Sequence, residues 1–99
     1  MNFQRTESKE HGRYVVYLLK DESMKPDFLI DDEVQVDTRI EVKNGDTVVA
    51  VLEDGRTILR QMVHKNGEYF FSPSNRAYDV IISKAPVIIG KAVRIYRKM

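Results

Sequence analysis

Thr47-Val48-Val49-Ala50-Val51-Leu52, Arg56-Thr57-Ile58-Leu59-Arg60-Gln61-Met62-Val63 and Glu68-Tyr69-Phe70-Phe71 follow one another closely, broken only by Glu53-Asp54-Gly55 and His64-Lys65-Asn66-Gly67. Each run is rich in β-branched or aromatic residues, which suit a pleated, half-buried surface. The breaks carry Asp54-Gly55 and Asn66-Gly67, dipeptides that reach positive φ at low cost and read as tight hairpin turns. This stretch therefore predicts consecutive antiparallel strands.

The pattern continues on both sides. Tyr14-Val15-Val16-Tyr17-Leu18-Leu19 is apolar in both alternating positions, as expected of a strand covered on two faces. Glu33-Val34-Gln35-Val36-Asp37 alternates, with Val34 and Val36 expected inward. Val80 to Ile82 and Val87 to Tyr96 bring the expected total to about seven strands. Asn44-Gly45 marks a further turn, and only Ser23 to Leu29 could hold a helical turn, with Pro26 near its start. No stretch keeps a 3.6-residue period. The predicted fold class is all-β: a small rolled sheet or partly open barrel formed by residues 13–99. Residues 1–12, polar and mixed in charge, read as an arm or linker remnant.

Composition narrows the function classes. Of 99 residues, 42% are hydrophobic and 31% charged, which suits one folded domain rather than a disordered chain. The net charge of +1 gives no global attraction to nucleic acid or anionic membrane. Cysteine is absent, which excludes disulfides, zinc–thiolate sites and cysteine nucleophiles. No apolar run approaches the ~18 residues of a membrane span, and Met1 to Arg5 has no apolar run behind it, so neither a membrane partner nor a signal peptide is expected. A cytoplasmic location fits.

His11 and His64 lie far apart and match no zinc spacing. Asp31-Asp32-Glu33 reads as a solvated acidic loop, and no phosphate-binding glycine loop is present. No metal or cofactor is expected. Lys91, Arg94, Arg97 and Lys98 make the last strand basic, either to protect an exposed sheet edge or to touch nucleic acid. Arg60 is unusual because strand alternation puts it on one face with Ile58 and Met62. On residue pattern alone it would reach the rim or pair with a carboxylate.

One segment is more specific. Asp21-Glu22-Ser23-Met24-Lys25-Pro26, followed by Leu29-Ile30-Asp31-Asp32-Glu33-Val34-Gln35-Val36-Asp37, resembles the Ser-Met-x-Pro segment of the LexA/UmuD/lambda-repressor family. That family comprises self-cleaving serine–lysine peptidase domains of bacterial and phage regulators. Gly45-Asp46-Thr47-Val48-Val49-Ala50, the Asp54-Gly55 turn, Pro73-Ser74-Asn75-Arg76-Ala77-Tyr78 and Ile89-Gly90-Lys91-Ala92-Val93 match in the same order. The resemblance spans roughly Arg13 to Arg97.

The resemblance implies that Ser23 holds the nucleophile position and that a buried neutral lysine should activate it. Burial lowers a lysine pKa, which permits that role. Counting forward from Gly45 puts the lysine position on Leu59. Counting back from Asn75 and Tyr78, or from Asp54-Gly55, puts it on Arg60, the preferred register. Neither is a lysine. Leu59 does not titrate, and arginine stays protonated and cannot serve as general base. Two further departures are Asp21-Glu22 in place of Gly-Asp, and Asp32 in place of a loop glycine. Residues 1–22 hold no Ala-Gly or Cys-Gly bond of the kind the family cuts.

Three functional readings follow. The first is the dimerisation and regulatory C-terminal domain of a phage- or prophage-type transcriptional repressor, not self-cleaving. The resemblance implies a homodimer through the C-terminal strand, with Val87, Ile89, Lys91, Val93 and Ile95 as the surface. DNA would be reached only through an upstream domain, and an inducer or antirepressor protein is a further partner. The second is an active self-cleaving enzyme using Ser23, for which Lys25 is the nearest lysine in sequence. The third is a small nucleic-acid-binding β-barrel.

Overall fold

The computed structural model describes residues 3–5 and 12–98. Eight strands appear: β1 (Phe3–Arg5), β2 (Tyr14–Leu19), β3 (Glu33–Asp37), β4 (Thr47–Val51), β5 (Thr57–Lys65), β6 (Glu68–Ser72), β7 (Ile81–Ser83) and β8 (Val87–Tyr96). They form one antiparallel sheet in the order β1-β2-β3-β8-β4-β5-β6-β7. The sheet is rolled, with β1 coming close to β5, but no ladder closes it into a barrel. The all-β expectation holds, and the strand beyond the seven expected is β1, inside the segment read as an arm. His11 lies outside the described residues.

The turns follow their chemistry. β5 and β6 are joined by Asn66-Gly67 alone, both at positive φ (53° and 78°). This is the pair a two-residue hairpin of strongly twisted strands requires. The β4–β5 connection is longer, from Leu52 to Arg56, and Gly55 takes φ 90° within it. No helix forms among the described residues. The Ser23 region is a run of turns with one helix-like bond, from Phe28 N–H to the Met24 carbonyl (2.9 Å).

Two apolar cores lie on opposite faces of β4 and β5. The first joins Tyr17, Leu19, Met24, Val34, Val36, Val49 and Leu59. The second joins Val48, Ala50, Leu52, Ile58, Met62 and Phe71. Because side chains alternate, Val48 and Val49 belong to different cores, as do Ile58 and Leu59. β3 is buried on both faces: Val34 and Val36 lie inward as expected, and Gln35 and Asp37 are buried too. Asp37 is compensated there by Arg13, 2.9 Å away, and by the N–H groups of Arg39 and Ile40. A sequence pattern cannot show that an alternating polar residue will be covered when its charge partner is distant in the chain.

The edge-protection reading of the last strand is corrected. β8 is an inner strand, pairing β4 through Val87–Lys91 and β3 through Lys91–Tyr96. The register skips one β8 residue on each side, leaving Ile89 and Val93 as bulges. Gly90 sits between them. A Cβ there would overlap the Asp37 carbonyl, so only glycine permits this close approach.

Candidate functional site

Ser23 occupies the turn after β2 and is 2% exposed. Asp21, two residues earlier, accepts both its backbone N–H (3.1 Å) and its hydroxyl proton (2.8 Å). This is the local turn that an Asx residue forms with the residue two positions on. The Ser23 carbonyl accepts the Asn75 N–H (2.9 Å), and Asn75 Nδ2 donates to the Glu22 carbonyl (2.9 Å). Ser74 Oγ donates to Asp27 (2.7 Å). The Ser23 turn is therefore clamped from inside by Asp21 and from outside by the β6–β7 connection.

β5 supplies the other group. Arg60 pairs across the ladder with Val48 and points to the second core's face, beside Ile58 and Met62. It is 3% exposed. Its Nη1 donates to the Asp79 carbonyl (3.0 Å), and its guanidinium lies 5.8 Å from the Tyr78 ring centroid. Nε–H is buried without a partner. Burial pulls the guanidinium below its ordinary pKa, while the Asp21 carboxylate and Tyr78 push it back up. The buried charge is thus balanced by a carboxylate, a carbonyl and an aromatic face rather than by a close ion pair.

Leu59, the alternative lysine position, points the other way, into the first core with Met24. Lys25 pairs with Glu22 at 3.0 Å with its side chain half exposed, so it is an ion-paired surface ammonium. The Ser23 hydroxyl donates its hydrogen bond to a carboxylate rather than to an amine. Asp21, Tyr78 and the Asp79 carbonyl are the parts that reading the sequence for catalysis missed. Asp21, two positions before Ser23, is the one available signal, and in the sequence it reads only as a departure from the family's Gly-Asp.

The five residues expected at a dimer surface fall into different environments. Val87, Val93 and Ile95 are exposed, at 61%, 43% and 37%. Ile89 packs partly buried against the first core, and Lys91 reaches Asp46 at 3.4 Å. The bulges at Ile89 and Val93 interrupt the alternation, so the five do not line one face. Tyr96 adds to the exposed group. Beyond the strand, Arg97 makes two bonds to the buried Asp32 carboxylate, 2.8 and 2.7 Å, and Asp32 also accepts the Leu29 N–H (2.8 Å). That arginine holds the Asp32 carboxyl below its usual range, with the Leu29 N–H adding to the effect. Asp32 is thus a buried anchor rather than part of a solvated loop.

Among the described residues, no group of acidic, histidine or cysteine side chains could hold a metal ion, and no helix is long and apolar enough to cross a membrane.

Comparison with known proteins identifies relatives of this chain. The chain is 32% identical over 91 residues to a LexA repressor of Alkaliphilus oremlandii, covering 91% of this chain and 44% of that protein. It is 33% identical over 94 residues to LexA repressor 1 of Nocardia farcinica, covering 89% of this chain and 42% of that protein. A LexA repressor of Staphylococcus epidermidis matches at 23% over 86 residues, 87% of this chain and 42% of the relative. The chain spans less than half the length of these curated relatives. A family profile described as Peptidase S24-like matches residues 1–93, nearly the whole sheet with the Ser23 turn and Arg60 inside it, and the chain belongs to that family.

Proposed function

We propose that this chain is the regulatory C-terminal domain of a phage- or prophage-type transcriptional repressor, and that it pairs repressor subunits without cleaving itself. The observation that carries the reading is that Ser23 donates its hydroxyl hydrogen bond to Asp21, while the side chain β5 buries against Tyr78 and the Asp79 carbonyl is a guanidinium. Arginine does not lose its proton at any usable pH, so Arg60 supplies no general base. The LexA repressors among its relatives support a repressor context.

Dimerisation is the remaining task of such a domain. Exposed Val87, Val93, Ile95 and Tyr96 on and beside one long strand support it. Joining two DNA-binding heads through this domain raises their effective concentration at paired operator half-sites without new DNA contacts. An inducer or antirepressor protein would act by breaking that pairing. The nucleic-acid reading of the last strand is disfavoured, because Lys91 and Arg97 are engaged with Asp46 and Asp32.

Incubation at alkaline pH with the natural upstream linker attached, followed by intact mass, tests the silent serine. An unchanged mass is expected, and a chain cut in that linker overturns the reading. Sedimentation over a concentration series up to ~0.5 mM tests pairing, since self-association must respond to concentration. A strictly monomeric species throughout removes the dimerisation role.

A further inference from the structure

The connection between β6 and β7 touches both halves of the Ser23 site. At its near end, Asn75 and Ser74 hold the Ser23 turn through the Ser23 carbonyl, the Glu22 carbonyl and Asp27. At its far end, the connection is held by Arg60, which donates to the Asp79 carbonyl and lies against the Tyr78 ring. Arg60 leaves Nε–H unpaired, although a buried donor without a partner is costly. Its Nη1 is nevertheless committed to the connection. The residue therefore sits where it serves the loop rather than where its own hydrogen bonds are all met.

We infer that Arg60 is a positioning residue that straps residues 73–79 over Ser23 and keeps the serine closed to solvent and to other molecules. This deepens the non-cleaving reading and rests on it for the role of Ser23, but it concerns access rather than proton transfer. The arginine then does two separate things at the lysine position. It supplies no base, and it fastens the cover. With Arg60 removed, the Asp79 end loses this anchor and the Ser74–Asn75 end remains, so the connection can open locally while the sheet stays folded.

The absence of cysteine makes this measurable. Ser23→Cys places a single thiol under the strap, and its reaction with an aromatic disulfide reagent reports opening. Slow reaction is expected while Arg60 is present. Adding Arg60→Met should raise the rate roughly tenfold or more, the loss of one charge-assisted bond, at low denaturant and with little denaturant dependence. Removing a nearby cation by itself raises a thiol pKa and slows the reaction, so acceleration cannot come from charge alone. Arg60→Gln, neutral and still polar, gives the same comparison if the methionine variant does not fold. An unchanged rate, or a rise that tracks global unfolding with denaturant, overturns the strap. Cleavage in alkali would sink the silent-serine reading through a different readout, so the two failures are told apart.

Discussion

Leu59 and Arg60 are neighbours on one strand and face opposite sides of the sheet. Leu59 enters a core of Tyr17, Leu19, Met24, Val34, Val36 and Val49, in which every buried partner is apolar or aromatic. Arg60 enters a face that begins the same way, with Val48, Ala50, Ile58, Met62 and Phe71, but ends at a carbonyl, a tyrosine ring and a carboxylate. The first side is apolar throughout its buried cluster. The second combines a core with a polar seam, and the seam leads to Ser23. The difference shows that one long side chain can join the margin of a hydrophobic core to a polar seam.

The two sides should respond differently to substitution. The largest losses are expected from the cores themselves: Phe71→Ala by about 3–5 kcal/mol and Leu59→Ala by about 2–5 kcal/mol, read from urea unfolding. A loss under 1 kcal/mol at either position would mean that its side is not a packed core. Gly90→Ala comes next, at about 1–3 kcal/mol, because the added methyl group meets backbone rather than a flexible side chain. Wild-type stability in that variant would show that β3 and β8 can separate at this point.

The acid response is a smaller test. Asp32 has a folded pKa below its unfolded value, so its contribution to stability is complete above the unfolded pKa of about 4 and is lost as pH falls through the folded value. Arg97→Gln removes the main cause of that depression. The variant should be less stable at pH 7 and should lose less between pH 5 and pH 2, roughly the span over which a carboxylate with a depressed pKa is protonated. Parallel pH–stability curves for the two chains would count against the pair. The smallest global effect is expected from Arg60→Met, within ~1 kcal/mol of the original chain, because replacing a buried and incompletely bonded charge by an apolar side chain is often close to neutral. A loss above 3 kcal/mol would make Arg60 a main support of the fold rather than a local fastening.

Much of this architecture was legible from hairpin chemistry. Asn66-Gly67 and the β-branched runs around it locate β4, β5 and β6 to within two residues. Strand alternation places Arg60 with Ile58 and Met62, and Leu59 opposite. What was not legible depends on contacts between distant segments. β8 reads as a basic edge strand until its pairing with both β3 and β4 is known. Asp32 reads as solvated until Arg97, sixty-five residues later, is found on it. The bulges at Ile89 and Val93 leave no mark in composition, so the five alternate residues of the last strand could not be sorted by face. Ser23 was singled out through a resemblance, but its bond to Asp21 was not foreseen, and the fastening by Tyr78 and Asp79 is purely tertiary.

The place of β8 has a consequence for how the molecule is made. Strands β1 to β3 and strands β4 to β7 form two groups whose sequence neighbours pair, and among the described residues β8 is the strand whose ladders join one group to the other. It is also the last of these strands in chain order. Until Val87–Tyr96 is synthesised, the growing chain holds two half-sheets, with Val36 and Val49 waiting on opposite sides of a gap. A chain that stops before Val87 should therefore be cut readily by protease and clump through its bare interiors, whereas one ending just past Arg97 should resist. Joining of the two groups into one sheet therefore waits on β8, the last of its strands in chain order.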